Sequence, residues 1–277
     1  MFNITCNICG FRDSKLLFNR TNDTFGKQDI RKCNNCKVLF VHPMPNENCL
    51  SKHYDGHFFI EKFDYVESGK IWEKFYNLNI SYIEKKIKKR KILEVGCGLG
   101  HFLNITKKRG WDARGVELSK FGADYARNKF NLEIYNGLLE DARFPDNCFD
   151  VVALWATLEH LTDPLKILKE AYRVSAPGGL IVLCVPNSNS IITKLYGMEN
   201  TDMKHGEHLY HFPFKTLKFM LSRAGFCDIR RMIIFGGSFN DNLIQNIRQF
   251  TARILNIGSD IRLMAFKCTV PSEEGLK

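Results

Sequence analysis

The chain has 277 residues, 44% of them hydrophobic and 25% charged, an ordinary globular balance that excludes wholesale disorder. Its length suits one large domain, or a core domain with a small appendage, with enough chain to bury a full core. Lysine and arginine outnumber the acids 40 to 30, a formal charge of +10. That excess favours anionic partners, without choosing between nucleic acid, a nucleotide-linked substrate and an anionic surface.

In chain order, residues 1 to about 45 are short, polar and turn-rich, and closed by Pro43 and Pro45. Residues 47 to 90 read as helical, with Ile71, Phe75, Leu78 and Tyr82 recurring on one side. The basic run from Lys85 to Lys91 reads as a solvated helix face. From Lys91 strands and helices alternate. Strands are expected at 91–95, 113–117, 132–135, 149–154, 180–185, 226–235 and 262–268. Helices are expected at 100–109, 120–129, 164–174, 214–224 and 242–255. This alternation predicts an α/β fold with a parallel sheet covered on both faces. No apolar run is long enough to span a bilayer, and no basic-then-apolar leader opens the chain. The expectation is a cytoplasmic protein with no membrane span.

Ten cysteines are present. Four are paired as Cys6-x-x-Cys9 and Cys33-x-x-Cys36, a spacing that brings four thiolates together across a hairpin as a closed, structural zinc site. The other six, among them Cys227 and Cys268, are scattered and are read as free thiols in a reducing compartment.

Glu94-Val95-Gly96-Cys97-Gly98-Leu99-Gly100 joins the first strand of the αβ region to its helix. Glycines there permit a tight turn and close approach of a ligand. Glu117 ends the next strand, where a carboxylate can accept both hydroxyls of a ribose. Glu94, just before the glycines, would repel a pyrophosphate but not a nucleoside with a cationic tail.

These residues resemble the first motif of class I S-adenosylmethionine-dependent methyltransferases. The resemblance continues over residues 91 to 235, through Phe144-Pro145-Asp146-Asn147-Cys148-Phe149-Asp150, Leu158-Glu159-His160-Leu161, Ala176-Pro177-Gly178-Gly179, Glu207-His208-Leu209 and Arg223-Ala224-Gly225-Phe226. It implies a Rossmann-like sheet of seven strands with the last antiparallel. It places Gly96, Cys97, Gly98 and Gly100 along the methionine part of S-adenosylmethionine, Glu117 on the ribose and Leu118 on the adenine. Glu94 and Trp155 are carried over as further cofactor contacts. Relatives often carry Gly-Asp-Ala at the adenine edge; this chain has Gly137-Leu138-Leu139 followed by Glu140. The adenine amine is then bound by the backbone of this segment, around Leu139, or by Glu140.

The four-cysteine segment, continued by residues 41 to 59 with Tyr54 and Phe58, is similar to the N-terminal zinc module of nucleotide-sugar C-methyltransferases. Those relatives carry a further C-terminal domain for which this chain is too short. The implied division is a zinc-binding module at 1–45, a helical linker and lid at 46–90, and the methyltransferase domain at 91–277. In those relatives a Glu-His pair serves the acceptor. That role is carried to His208 as general base and Glu207 as the residue that binds or orients the acceptor. His160, just beyond the fourth strand, is the second candidate base, since methyl transfer to a hydroxyl or carbon requires a proton to be removed. His205 and His211 are read as acceptor contacts or surface.

The resulting expectation is an enzyme with S-adenosylmethionine and structural zinc, methylating a small, anionic, hydroxylated acceptor such as a sugar nucleotide or polysaccharide precursor. The alternative is an RNA methyltransferase that grips phosphates with the zinc segment. Against it, Leu154-Trp155-Ala156-Thr157 occupies the place of the Asn/Asp-Pro-Pro-aromatic motif of exocyclic-amine methylation. A non-catalytic binding module does not account for the intact glycine loop and Glu117.

Overall fold

A computed structural model describes residues 4–22, 24–54, 65–88, 91–190, 207–234, 247, 250–252, 254–255 and 257–268. Its main sheet contains β4 (Lys91–Val95), β5 (Asp112–Glu117), β6 (Glu133–Asn136), β7 (Phe149–Trp155), β8 (Ser175–Pro186), β10 (Cys227–Arg231) and β11 (Asp260–Phe266). The strand order is β10-β11-β8-β7-β4-β5-β6. Strands β4 to β8 run parallel, and β11 runs antiparallel between β8 and β10. The expected Rossmann-like sheet of seven strands with an antiparallel last strand is therefore present. The central strands are buried on both faces, as the continuous apolar run Val151–Trp155 requires. The order reverses at β4, which opens a crevice beyond its carboxyl end.

One face is covered by α2 (Tyr65–Glu84), α3 (His101–Lys108) and α4 (Lys120–Phe130), whose Phe75, Phe102 and Ala123 pack on Ile92, Val151 and Val182 of the sheet. The other face carries α5 (Pro164–Val174) and α6 (Phe214–Ala224). Asp163 caps α5 by accepting from Lys166 N at 3.0 Å, with Pro164 at the first helical position. Its buried stripe of Leu165, Leu168 and Ala171 faces Leu93, Val152 and Ile181.

The same apolar cluster runs on into the N-terminal segment through Ile8, Ile30, Leu39 and Val41. That segment is more ordered than its polar, turn-rich composition suggested. It forms β1 (Ser14–Asn22), β2 (Gly26–Cys33) and β3 (Leu39–His42), followed by α1 (Glu47–His53). Alternation shows in the middle of β2, where Gln28 and Ile30 are buried between the more exposed Lys27, Asp29 and Arg31; Cys33, buried at the strand's end, falls outside that period. A fourth strand, β9 (Tyr210–His211), completes this second sheet in the order β1-β2-β3-β9. The strand comes from the far side of the sequence, pairing Leu39 with His211 and Phe40 with Tyr210.

Other differences are local. The helical reading of 47–90 resolves into α1 and α2, with residues 55–64 and 89–90 outside the described residues. The side chain of Ile71, Phe58, His205 and most of the expected 242–255 helix also lie outside them. Cys227 and Cys268, read as free thiols, are joined by a disulfide with Cα atoms 5.9 Å apart. The antiparallel β10–β11 pair sets their approach: Cys227 lies opposite Phe266, two residues before Cys268. Among the described residues, no helix is long and apolar enough to cross a membrane.

Candidate active site

The loop after β4 turns at Gly96 (φ +70°) and Gly98 (φ +53°). A Cβ at Gly96 would lie 2.6 Å from Thr157 Cγ2, so β4 can pass the end of β7 with no side chain there. Thr157 holds the approach by donating from Oγ1 to the Val95 carbonyl at 3.0 Å. Below the loop, Glu117 Oε2 accepts from Gly98 N at 2.7 Å, and Oε1 accepts from Ser119 N at 2.8 Å. Burial raises the Glu117 carboxyl above its ordinary range, opposed by these backbone N–H groups. Glu94 is buried as well, and burial followed by repulsion from Glu117 pushes its carboxyl well up. Glu94 Oε2 and Trp155 Nε1 have no hydrogen-bond partner.

A cavity of about 440 Å³ opens above this loop. Glu94, Gly96, Cys97, Gly98, Glu117, Leu118, Leu139, Glu140 and Trp155 all line it. Gly100 does not; it caps α3, and a Cβ there would meet Ala126 Cβ and Leu132 Cδ1 at 2.8 Å. Glu140 Oε1 is engaged by Lys166 Nζ at 2.8 Å. A crevice with a fixed carboxylate, glycine amides, apolar walls from Leu118 and Leu139, and an orphaned buried carboxyl oxygen on Glu94 fits an adenosyl group bearing a cationic amino-acid tail.

The histidines gather at one side of the cavity. His160 ends a 3₁₀ turn (Leu158–His160) after β7 and lines the cavity. Its Nδ1 is 2.7 Å from the hydroxyl of Tyr54, which lines the cavity too. Burial first, then the neighbouring His208, lowers the His160 imidazole to about 3. His208, which does not line the cavity, packs its ring on His160 with centroids 4.8 Å apart and touches His211 at 5.3 Å. Glu207 Oε1 is 3.5 Å from His53 Nε2. Arg20 of β1 reaches across to donate to the His208 carbonyl at 3.4 Å, and β3 pairs with β9 just beyond. Glu159, fully buried with neither carboxyl oxygen hydrogen-bonded, is held by burial at about 8.

The four cysteines converge at the edge of the second sheet. Cys6 Sγ lies 3.7 Å from Cys36 Sγ and Cys9 Sγ 3.6 Å from Cys33 Sγ. All four ligand atoms fall within 4.8 Å of one another. Sulfurs 2.3 Å from a tetrahedral zinc would be about 3.8 Å apart, so this donor set fits such an ion. The hydrogen bond with Cys36 holds the Cys6 thiol down at about 5 and raises that of Cys36.

Sequence reasoning did not assign Tyr54, Phe75, Thr157 or Arg262 to the site, yet all line the cavity. Arg262 had a readable signal: it is a lone cation inside the apolar strand Ile261–Phe266. Tyr54, at the C-cap of α1, and Phe75, on α2, were read only as part of a helical linker and lid, since they precede the αβ region and nothing local marks them as cavity residues.

Comparison with known proteins agrees with the geometry. Residues 70–230 match a family described as a methyltransferase domain. An uncharacterised protein of Methanocaldococcus jannaschii is 28% identical over 170 residues, 60% of this chain and 80% of that one. Demethylmenaquinone methyltransferase of Staphylococcus aureus is 27% identical over 215 residues, 68% of this chain and 86% of that one. The crystal structure of an S-adenosylmethionine-dependent methyltransferase from Thermotoga maritima, described as a possible histamine N-methyltransferase, superposes with a TM-score of 0.56 at 19% identity, covering 76% of this chain and 97% of that one. With the glycine loop, the Glu117 cradle and the sheet order in place, the chain belongs to this methyltransferase-domain family and is an S-adenosylmethionine-dependent methyltransferase.

Proposed function

We propose that the enzyme methylates a small hydroxylated acceptor, a sugar nucleotide or polysaccharide precursor, at an oxygen or carbon that must first lose a proton. The observation that carries this reading is the cluster of Tyr54 and His160 at the cavity wall, with His208 packed on the His160 ring. S-adenosylmethionine supplies the methyl group as a sulfonium. The residues assigned to it are Glu117 for the ribose, Gly96, Cys97, Gly98 and Glu94 for the amino-acid part, Leu118, Leu139 and Glu140 for the adenine, and Trp155 beside the methyl. Gly100 serves this site from behind, by letting α3 pack on α4.

His208 is the terminal base in this proposal. Burial keeps His160 neutral, since its imidazole is held at about 3, so His160 and Tyr54 orient the acceptor while the proton comes to rest on His208. Glu207 steadies the segment through His53. Zinc is the metal proposed for Cys6, Cys9, Cys33 and Cys36; four thiolates leave no open position, so its role is structural. The carboxyl edge of the sheet, with Leu50, Tyr54, Trp72, Phe75 and Tyr76 from the helical region at 46–90, then encloses one reaction chamber, in the cytoplasm, while the segment at 1–45 is the zinc-binding module.

Saturation kinetics on a panel of sugar nucleotides with labelled cofactor test the base. His208→Ala is expected to lower kcat by roughly 10²–10⁴-fold with unchanged cofactor affinity. His160→Ala is expected to act mainly on acceptor KM. Near-normal turnover in His208→Ala with a dead His160→Ala would exchange the two roles. A second acceptor class has a specific observation in its favour. The match to demethylmenaquinone methyltransferase spans 68% of this chain, and a hydroxylated aromatic ring also needs deprotonation, so a quinol belongs in the same panel.

A further inference from the structure

We infer that Arg262 is the acceptor-binding residue that reads an oxyanion, a carboxylate or phosphate, on the substrate to be methylated. This rests on the methyltransferase reading and adds the chemistry of the acceptor. Arg262 lies on β11, where every neighbour from Ile261 to Ala265 is buried. Its side chain is only 4% exposed, and the residue lines the cavity. Burying a guanidinium in a strand is costly unless each donor finds an acceptor. Nε donates to Asp260 Oδ2 at 2.6 Å. Among the described residues no hydrogen bond is made by the two terminal amino groups. The plane is fixed by Phe75, whose ring centroid lies 4.5 Å from the guanidinium carbon. A planar fork locked on one edge by a carboxylate and on one face by a ring, in a residue that lines a cavity, suits a bidentate oxyanion.

Position decides which molecule carries that anion. β11 is three places from β4 in the sheet, about 14 Å at the usual strand spacing. The glycine loop and Glu117, assigned to the cofactor, lie at β4 and β5, so Arg262 lines a part of the same cavity several strands away from them. Among the described residues the other lysine or arginine lining the cavity is Lys166, which is engaged with Glu140, a residue assigned to the adenine.

The test uses the full chain saturated with S-adenosylhomocysteine and titrated by calorimetry with inorganic phosphate and with acetate, against sodium chloride at equal ionic strength. The wild type is expected to bind at least one of the two oxyanions. Arg262→Gln is expected to weaken that binding about tenfold or more, as loss of a charged hydrogen-bond pair does, with S-adenosylhomocysteine affinity within twofold. Arg262→Lys keeps the ion pair with Asp260 but loses the fork. It is expected to show a similar loss, and it carries the test if the glutamine variant does not fold. The inference is overturned if neither oxyanion binds the wild type, or if the folded variant binds it as well as the wild type does. It is also overturned if S-adenosylhomocysteine affinity falls while that of 5′-methylthioadenosine, which lacks the amino-acid part, does not; the anion would then be the cofactor's own carboxylate. Failure of the wild type to bind S-adenosylhomocysteine at all would instead remove the underlying functional reading.

Discussion

Glu117 already satisfies two loop amides, from Gly98 and Ser119, and a carboxylate has lone pairs left for two ribose hydroxyls. Glu117→Ala is therefore expected to weaken S-adenosylmethionine binding by about 1.5–3 kcal/mol, the range for hydrogen bonds to a charged group. Calorimetry on the folded variant measures it, and an unchanged affinity would put the ribose elsewhere. Two other buried groups set opposing pH slopes on stability. Glu159 is held at about 8 in the folded chain, above its ordinary value of about 4.3. Its contribution is complete below that ordinary value and is lost as pH rises towards 8. His160, held at about 3, contributes fully above its ordinary 6.5 or so, and that contribution is lost as pH falls towards 3. Urea midpoints of Glu159→Gln are expected to lose the alkaline part of the slope while the acid part persists. A variant whose midpoints fall with rising pH as steeply as the wild type's would assign the slope to another group.

At the level of strands and helices, what the sequence made readable is the αβ half. Apolar runs such as Val151–Trp155 and capped stripes such as Asp163–Val174 are local, so their spacing alone announces them. The glycine loop was legible for the same reason, since glycine identity and an acid at a strand end sit within a few residues of each element's end. The second sheet was not. Its fourth strand is two residues long, below any periodicity, and it exists because β3 offers it an edge. The contact of His208 with His160 was hidden too, because it depends on that pairing. The composite sheet ties the four cysteines to the histidines: Thr216 Oγ1 donates to the Cys36 carbonyl, and Tyr210 Oη accepts from Asn7 and donates to the Thr162 carbonyl. Elemental analysis is expected to give about one zinc per chain, from the four-thiolate closed site, and Cys6→Ser with Cys9→Ser to abolish it. The same double variant is expected to lose turnover while S-adenosylhomocysteine still binds, since Glu117 and the glycine loop lie on the other sheet. Wild-type protein purified without chelator and free of zinc would overturn the metal reading.

For the molecule as a whole, the charge of +10 raises the question of nucleic acid. Among the described residues the cavity is lined by Glu94, Glu117, Glu140, Asp163 and Asp260 against Lys166 and Arg262, a balance that suits a small ligand with one anionic group better than a polyphosphate chain. Purified protein is expected to show a protein-like absorbance ratio, and RNA binding that vanishes at moderate salt. Tight, salt-resistant RNA binding would favour the RNA methyltransferase reading. The bond from Arg20 to the His208 carbonyl closes a span of 188 residues, and that from Asn7 to Tyr210 one of 203. Contacts of such sequence separation form late, because a long loop must close before they contribute. On the ribosome the first three strands emerge early but lack their fourth partner until the chain has passed Tyr210. The exposed edge of β3 must wait through the synthesis of most of the αβ region, an interval of roughly ten seconds or more at 5–20 residues per second. The cysteine-bearing segment is thus made long before its fourth strand and is among the last parts completed, and in that interval an ion seated early on its four sulfurs would hold the hairpin together.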